Sequence, residues 1–180
     1  MQKWIILIVV FVIIFLAIFV ICNINIETEY IPETEIADTE LRKTIVTLYF
    51  KDKISGEIVK ESKLIDSKEL LYNPYKKMVN LLIEGPQNDN FERIIPENTK
   101  ILEANVDKGI LLLNFSNEIL DDSKDVEQIN ESIKSIVNTV TQLIEVNGVK
   151  ILVNNEETDK LLDQGIDFGK IYRVEDFTVN

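Results

Sequence analysis

The chain has 180 residues, 46% of them hydrophobic, with a formal net charge of −12, one cysteine and no histidine. That length suits about one domain beside any non-globular segment. The acidic balance argues against nucleic acid as a partner, the absent histidine removes Ser-His-Asp and Cys-His mechanisms and His-ligated zinc or haem, and one cysteine allows no intramolecular disulfide.

The first predicted element is an apolar run. From Trp4 to Cys22 there is no charge, Gly or Pro, and those 19 residues span ~28 Å as a helix, close to the ~30 Å hydrocarbon core of a bilayer. A cleavable signal peptide has a shorter apolar region of roughly 7–15 residues and a small-residue cleavage site. Ile21 stands before Cys22, where a lipoprotein signal needs a small residue, so residues 1–22 read as an uncleaved transmembrane signal anchor. Lys3 precedes the run, while Glu27, Glu29, Glu33 and Glu35 follow it before the first later basic residue, Arg42. This bias places the N-terminus in the cytoplasm and the rest outside the cell. Setting Lys3 aside leaves 18 basic against 31 acidic residues outside.

Residues 23–43 are acidic, rich in Thr and Glu and without sustained period, and read as a flexible stalk. TIVTLYFK (44–51) predicts a strand, and EIVKESKLI (57–65) a weaker, edge-like one. Tyr75, Met78, Val79 and Leu82 recur at i, i+3, i+4 and i+7, one face of a helix. Pro74 suits its first turn, Gly85 its left-handed terminus, and Pro86 forbids continuation. A phosphate-gripping glycine would precede a helix rather than follow one.

KILEANV (100–106) alternates Leu102, Ala104 and Val106 against Glu103, Asn105 and Asp107, and GILLLNF (109–115) is a continuous apolar run. Asp107-Lys108-Gly109 between them predicts a hairpin through a type I turn with Gly109 in the bulge position. A long helix is expected within 124–146, with Val126, Ile129, Ile133, Ile136, Val137, Val140, Leu143 and Ile144 on one stripe and Asp121, Asp122, Ser123 and Asp125 at its start. Asn147-Gly148 ends it, and VKILVNN (149–155) is the last clear strand. GKIYRV (169–174) is a candidate short strand in a packed tail. The expected fold is thus α/β or α+β, a two-layer sandwich of one small mixed sheet and two helices in the order β-α-β-β-α-β, preceded by one transmembrane helix.

No motif for catalysis emerges. With 31 acidic residues, chance carboxylate pairs explain any resemblance to a glycosidase pair. DDSKDVE (121–127) lacks the spacing, Gly and terminal Glu of a calcium loop, and helix capping explains it. Asn114-Phe115-Ser116 and Asn130-Glu131-Ser132 match the N-glycosylation pattern by chance, on a strand and a helix. Tyr49, Tyr72, Tyr75, Phe91 and Tyr172 suit a core as well as a ligand groove. No enzyme, cofactor or metal is expected.

Several stretches together resemble the GerMN domain, the repeat unit of the sporulation and spore-germination protein GerM. In order they are "TLYF" (47–50), "LLIEGP" (81–86), "RIIPENTKIL" (93–102), "LLLNFSNEI" (111–119), "SIVNTVTQL" (135–143) and "VNGVKILVNN" (146–155). The resemblance runs from about Thr44 to Val174 and gives a domain at 44–175 with a short tail at 176–180. It implies structural motif positions at Gly85, Pro86, Pro96, Gly109, Asn138, Thr139 and Gly148. It also implies an exported, membrane-attached protein of Gram-positive spore formers, with a fold similar to ring-building domains of sporulation channels. This chain carries one copy where GerM carries two, and its anchor is a helix rather than a lipid.

The expected function is a membrane-anchored, extracytoplasmic, non-catalytic interaction domain in sporulation, germination or cell-envelope assembly. Residues 4–22 would hold the membrane, and the partner would be an envelope protein with a basic face or another copy of the chain. The alternative is a module binding a small ligand or cell-wall fragment.

Overall fold

The computed structural model describes residues 3–4, 42–120, 126–157 and 165–177. The chain divides into Met1–Asp38 and Thr39–Asn180, and the elements below belong to the second unit. The expected anchor except residues 3–4, nearly all of the stalk, the acids at 121–125 and residues 178–180 lie outside the described residues. Among those described, no helix is long and apolar enough to cross a membrane.

Strand β1 (Lys43–Asp52) carries the β-branched and aromatic run, with Val46, Leu48 and Phe50 buried and the residues between them partly exposed. Asp52 then turns the chain. Its carboxylate accepts hydrogen bonds from the N–H groups of Ile54 (3.0 Å) and Ser55 (2.7 Å), and the Ser55 bonds hold it below the usual carboxylate range. Strand β2 (Ile58–Asp66) pairs antiparallel with β1 along its whole length, from Lys51↔Ile58 to Lys43↔Asp66. The weak extended run of the sequence is therefore a full nine-residue edge strand. A 3-10 turn over Ser67–Leu70 leads to Asn73, whose side chain accepts from the Lys76 N–H at 2.8 Å and donates to the Ala104 carbonyl at 2.8 Å. With Asn73 as cap and Pro74 in the first turn, helix α1 spans Pro74–Glu84 and buries Met78, Val79, Leu81, Leu82 and Ile83.

Two-residue strand β3 (Phe91–Glu92) pairs with the end of β1. Strands β4 (Ile101–Asp107) and β5 (Ile110–Phe115) form the expected hairpin, but the turn differs. Asp107 pairs directly with Ile110, and both intervening residues have positive φ, Lys108 at 47° and Gly109 at 83°. This is the primed turn that matches strand twist, rather than a type I turn with a bulge. A bulge does occur at Leu102, between the Ile101↔Phe115 and Glu103↔Asn114 pairs. The extra residue shifts the alternation, so Ile101 is buried and Leu102 is exposed.

Helix α2 (Val126–Val140) buries Ile129, Ile133, Ile136, Val137 and Val140. Leu143 donates to the Val140 carbonyl and Val146 to that of Leu143, so the chain tightens after Val140. Of the stripe predicted to reach Ile144, Leu143 still packs against the core, but Ile144 is 97% exposed. Strand β6 (Gly148–Val153) runs parallel to β5, and β7 (Ile171–Tyr172) pairs antiparallel with β6.

The strands form two sheets instead of the single mixed sheet expected: an antiparallel β2-β1-β3 and a mixed β4-β5-β6-β7. The order also gains three strands over the expected β-α-β-β-α-β, with β2 and β3 flanking α1 and β7 after β6. The physical reason lies at the edge of β1 away from β2, where α2 takes the place that a further strand would occupy. One hydrophobic cluster nevertheless joins both sheets and both helices, including Leu48, Phe50, Leu82, Leu113, Phe115, Ile136 and Ile151. Each fully buried side chain of this kind contributes roughly 1.5–3 kcal/mol, and the α+β class stands.

Candidate functional site

Three buried polar side chains follow one helix face. Ser132, Ser135 and Thr139 of α2 are buried, and Gln142 continues their line past the helix end. The Ser135 hydroxyl donates to the Tyr49 carbonyl (2.5 Å), the Tyr49 N–H donates to Thr139 Oγ1 (3.2 Å), and Gln142 Nε2 donates to the Thr47 carbonyl (2.9 Å). These side chains replace a neighbouring strand along β1, satisfying backbone groups that would otherwise be costly to bury. Ser132 donates to the Ile94 carbonyl at 2.7 Å, holding the segment between β3 and β4. Lys51 and Glu131 close the same seam at 2.7 Å, and the Glu131 hydrogen bond raises the lysine's affinity for its proton.

A shallow groove of about 420 Å³ lies between β2 and α1, lined by Lys43, Lys63, Asp66, Glu69, Lys77 and Glu84 among others. Its charges largely answer one another. Lys63 pairs with Glu84 at 3.3 Å, Lys77 pairs with Glu69, and Asp66 and Glu69 form a capping box on the 3-10 turn. The Lys77 hydrogen bond, reinforced by the Asp66 N–H, holds Glu69 below the usual carboxylate range. A carboxylate so held is a poor proton donor near neutral pH. With Lys43 the groove holds three lysines against three carboxylates, a balanced set that shows no acid–base pair.

The motif positions taken from the sequence lie along the scaffold and do not converge on one site. Gly85 caps α1 with φ 95° and ψ 175°. Its ψ is extended rather than helical, as the following Pro86 requires. A Cβ on Gly85 would sit 2.9 Å from Arg93 Nε, and Arg93 donates to the Glu84 carbonyl at 2.8 Å. Pro96 accepts from the Thr99 N–H in the turn before β4. Gly109 and Gly148 do approach one region: the Asn147 N–H donates to the Gly109 carbonyl at 2.7 Å, and a Cβ on Gly148 would lie 2.7 Å from Ile171 Cγ2. On α2, Asn138 is half-buried with its carbonyl accepting from Gln142, whereas Thr139 is fully buried on the β1 seam.

The candidate aromatic groove does not form. Tyr72 is 99% exposed, Tyr75 donates to Glu145 at 2.8 Å, and Tyr172 is buried against Phe177 with ring centroids 6.1 Å apart. Burial pushes the Tyr172 hydroxyl up to about 12. Among the described residues, no group of three His, Cys, Asp or Glu could hold a metal ion. Asn114, in one chance glycosylation match, is buried and exchanges hydrogen bonds with Asn155 at 2.6 and 2.9 Å. Sequence reasoning passed over Ser132, Ser135 and Gln142. Their signal was hydroxyl and amide residues at three- and four-residue spacing beside an apolar stripe.

Comparison with known proteins agrees with this architecture. The family model described as "Germane: Sporulation and spore germination" matches residues 47–159. No protein of curated function matches the chain. A crystal structure of a candidate lipoprotein from Clostridium perfringens superposes with a TM-score of 0.52 at 28% identity, covering 76% of this chain and 91% of that one. The tandem GerMN domains of the sporulation protein GerM from Bacillus subtilis give a TM-score of 0.54 at 24% identity, over 64% of this chain and 40% of that one. The first of those domains alone gives 0.55 at 22% identity, over 64% of this chain and 86% of that one. This chain thus spans less than half of the tandem pair and most of a single domain.

Proposed function

The chain belongs to the Germane family of sporulation and spore-germination domains, and on that premise we propose that it is a non-catalytic interaction module displayed outside the cell on a single-pass anchor. The observation that carries this reading is the destination of the polar side chains. Ser132, Ser135, Thr139 and Asn114 bind the protein's own backbone or loops, and the groove's carboxylates meet lysines or a capping turn. These internal polar groups build the scaffold, and recognition is left to the outer surface, where 31 acidic residues against 18 basic ones favour a partner with a basic face. The apolar run at residues 4–22 supports the anchor.

Protease added to intact protoplasts tests the placement. It should digest the chain beyond residue 23 and spare the anchor, and protection until lysis would refute the orientation. The groove favours a second reading, a small-ligand or wall-fragment module. Calorimetric titration with peptidoglycan fragments separates the two: the interaction module should give no saturable heat, and saturable binding would favour the groove.

A further inference from the structure

The outer edge of β2 offers a row of backbone groups to another strand, and its residues select one occupant. The hydrogen bonds of Thr47 and Tyr49 to α2 show that odd-numbered residues of β1 point away from β2. Even-numbered β1 residues therefore face β2, and their partners are its odd residues: Val46↔Lys63, Leu48↔Glu61 and Phe50↔Val59. It follows that the N–H and C=O groups of Lys60, Ser62 and Leu64 point outward. Among the described residues β2 ends its sheet, and all three residues are exposed. The strand holds two lysines, one glutamate and one aspartate, so it is a locally neutral segment in a chain of net charge −12.

We propose that β2 is a homodimerisation edge, pairing antiparallel with β2 of a second copy about a two-fold axis at Ser62. This rests on the interaction-module reading and names its partner. A closed two-fold pair places the same strand on both sides. Outward groups must meet outward groups, which admits only registers that oppose even residues to even ones. Centring the axis on Glu61 sets Glu61 against Glu61, and centring it on Lys63 or Lys60 sets lysine against lysine. Like charges directly opposite are destabilising. Centring it on Leu64 confines the overlap to residues 62–66 and leaves the outward groups of Lys60 unpaired. Only the Ser62 axis overlaps all nine residues of the strand.

In that register Lys60 and Leu64 of opposite copies exchange backbone hydrogen bonds, as do the two Ser62 residues. Between them, in the closely spaced pairs, Glu61 meets the second copy's Lys63 and Val59 meets its Ile65, each pair occurring twice. Glu61 accepts the N–H groups of Gln87 and Asn88 within its own copy, at 3.1 and 2.8 Å, and has no basic partner among the described residues. The second copy's Lys63 would supply one. Lys60 sits diagonal to the second copy's Asp66. Lysines on an edge strand normally discourage pairing, and here they reject the registers centred on Lys60 and Lys63. The product is one continuous sheet, β3-β1-β2 joined to its mirror order in the second copy.

Disulfide trapping of the full chain in membranes, in a Cys22→Ser background, tests the register. Directly opposed residues lie about 5.5 Å apart at Cα, within disulfide reach, whereas two Lys60 residues would lie ~13 Å apart. Ser62→Cys should crosslink to itself under mild oxidation. Lys60→Cys and Leu64→Cys should not crosslink alone but should crosslink when co-expressed, an independent arm if any one variant folds poorly. Glu61→Lys and Lys63→Glu should each lower trapping at Ser62→Cys several-fold, and their co-expression should restore it. Absence of Ser62→Cys crosslinks together with absence of the mixed crosslink overturns the proposal, as does self-crosslinking of Lys60→Cys equal to that of Ser62→Cys. Capture of a different envelope protein in those same membranes would leave the interaction-module reading standing while the β2 dimer falls.

Discussion

Replacing Gly85 with alanine tests how the first helix is stopped. Its φ of 95° with ψ of 175° lies in a region that only glycine occupies with ease. This differs from the left-handed terminus that the sequence suggested, because Pro86 extends the residue before it. The conformational cost is of order 1–3 kcal/mol. An added Cβ would also press on Arg93 Nε at 2.9 Å, displacing a guanidinium that binds the Glu84 carbonyl at 2.8 Å and Glu97 at 2.5 Å. Glu97 is exposed, so that pair contributes little, ~0–1 kcal/mol, while the bond to the carbonyl adds about 1 kcal/mol. The total is ~2–5 kcal/mol. At roughly 3 °C per kcal/mol for a unit of this size, thermal melts of the 39–180 fragment by circular dichroism should fall by ~6–15 °C. Gly56→Ala is the control, since Gly56 has φ 73° but nothing within 4 Å of its Cβ position, and it should lose only ~3 °C. A Gly85→Ala melt within ~2 °C of the native value would refute the assigned cap geometry.

Three further outcomes follow from the same contacts. Ile136→Asp places a charge at a fully buried site and should abolish the cooperative transition, and a melt like that of the native protein would refute the inward face of α2. Thr139→Val keeps the shape but leaves the Tyr49 N–H without its acceptor, so urea unfolding should show a loss of ~1–3 kcal/mol, and no loss would refute the seam. Glu69 is held below its ordinary value in the folded state, so its contribution is present above the unfolded pKa, about 4.3, and is lost as pH falls through the folded one. Urea midpoints should therefore drop less on acidification for Glu69→Gln than for the native chain, and equal drops would contradict the pairing with Lys77.

Much of the fold was legible because period and punctuation agreed. The α1 stripe, its Pro74 start, the hairpin at Gly109 and the buried face of α2 all follow from local spacing. What was not legible depends on partners distant in sequence. Leu102 faces out because one residue bulges against the Phe115–Asn114 segment, and alternation alone cannot show a bulge. Ile144 leaves its stripe because the chain tightens after Val140. The division into two sheets turns on Ser135 and Thr139 reaching Tyr49, 86 and 90 residues away in sequence. For the same reason the groove and the β2 edge became visible only once the Lys63–Glu84 pair and the strand register were in place.

Crosslinking in intact membranes of sporulating and vegetative cells, at low and high salt, tests the interaction-module reading most directly. With photoreactive groups on the acidic surface of residues 42–177, the chain should capture an envelope protein or a second copy of itself, and less of it at high salt, where screening weakens charge complementarity. Capture of no protein under any condition, alongside saturable binding of wall fragments, would contradict the account.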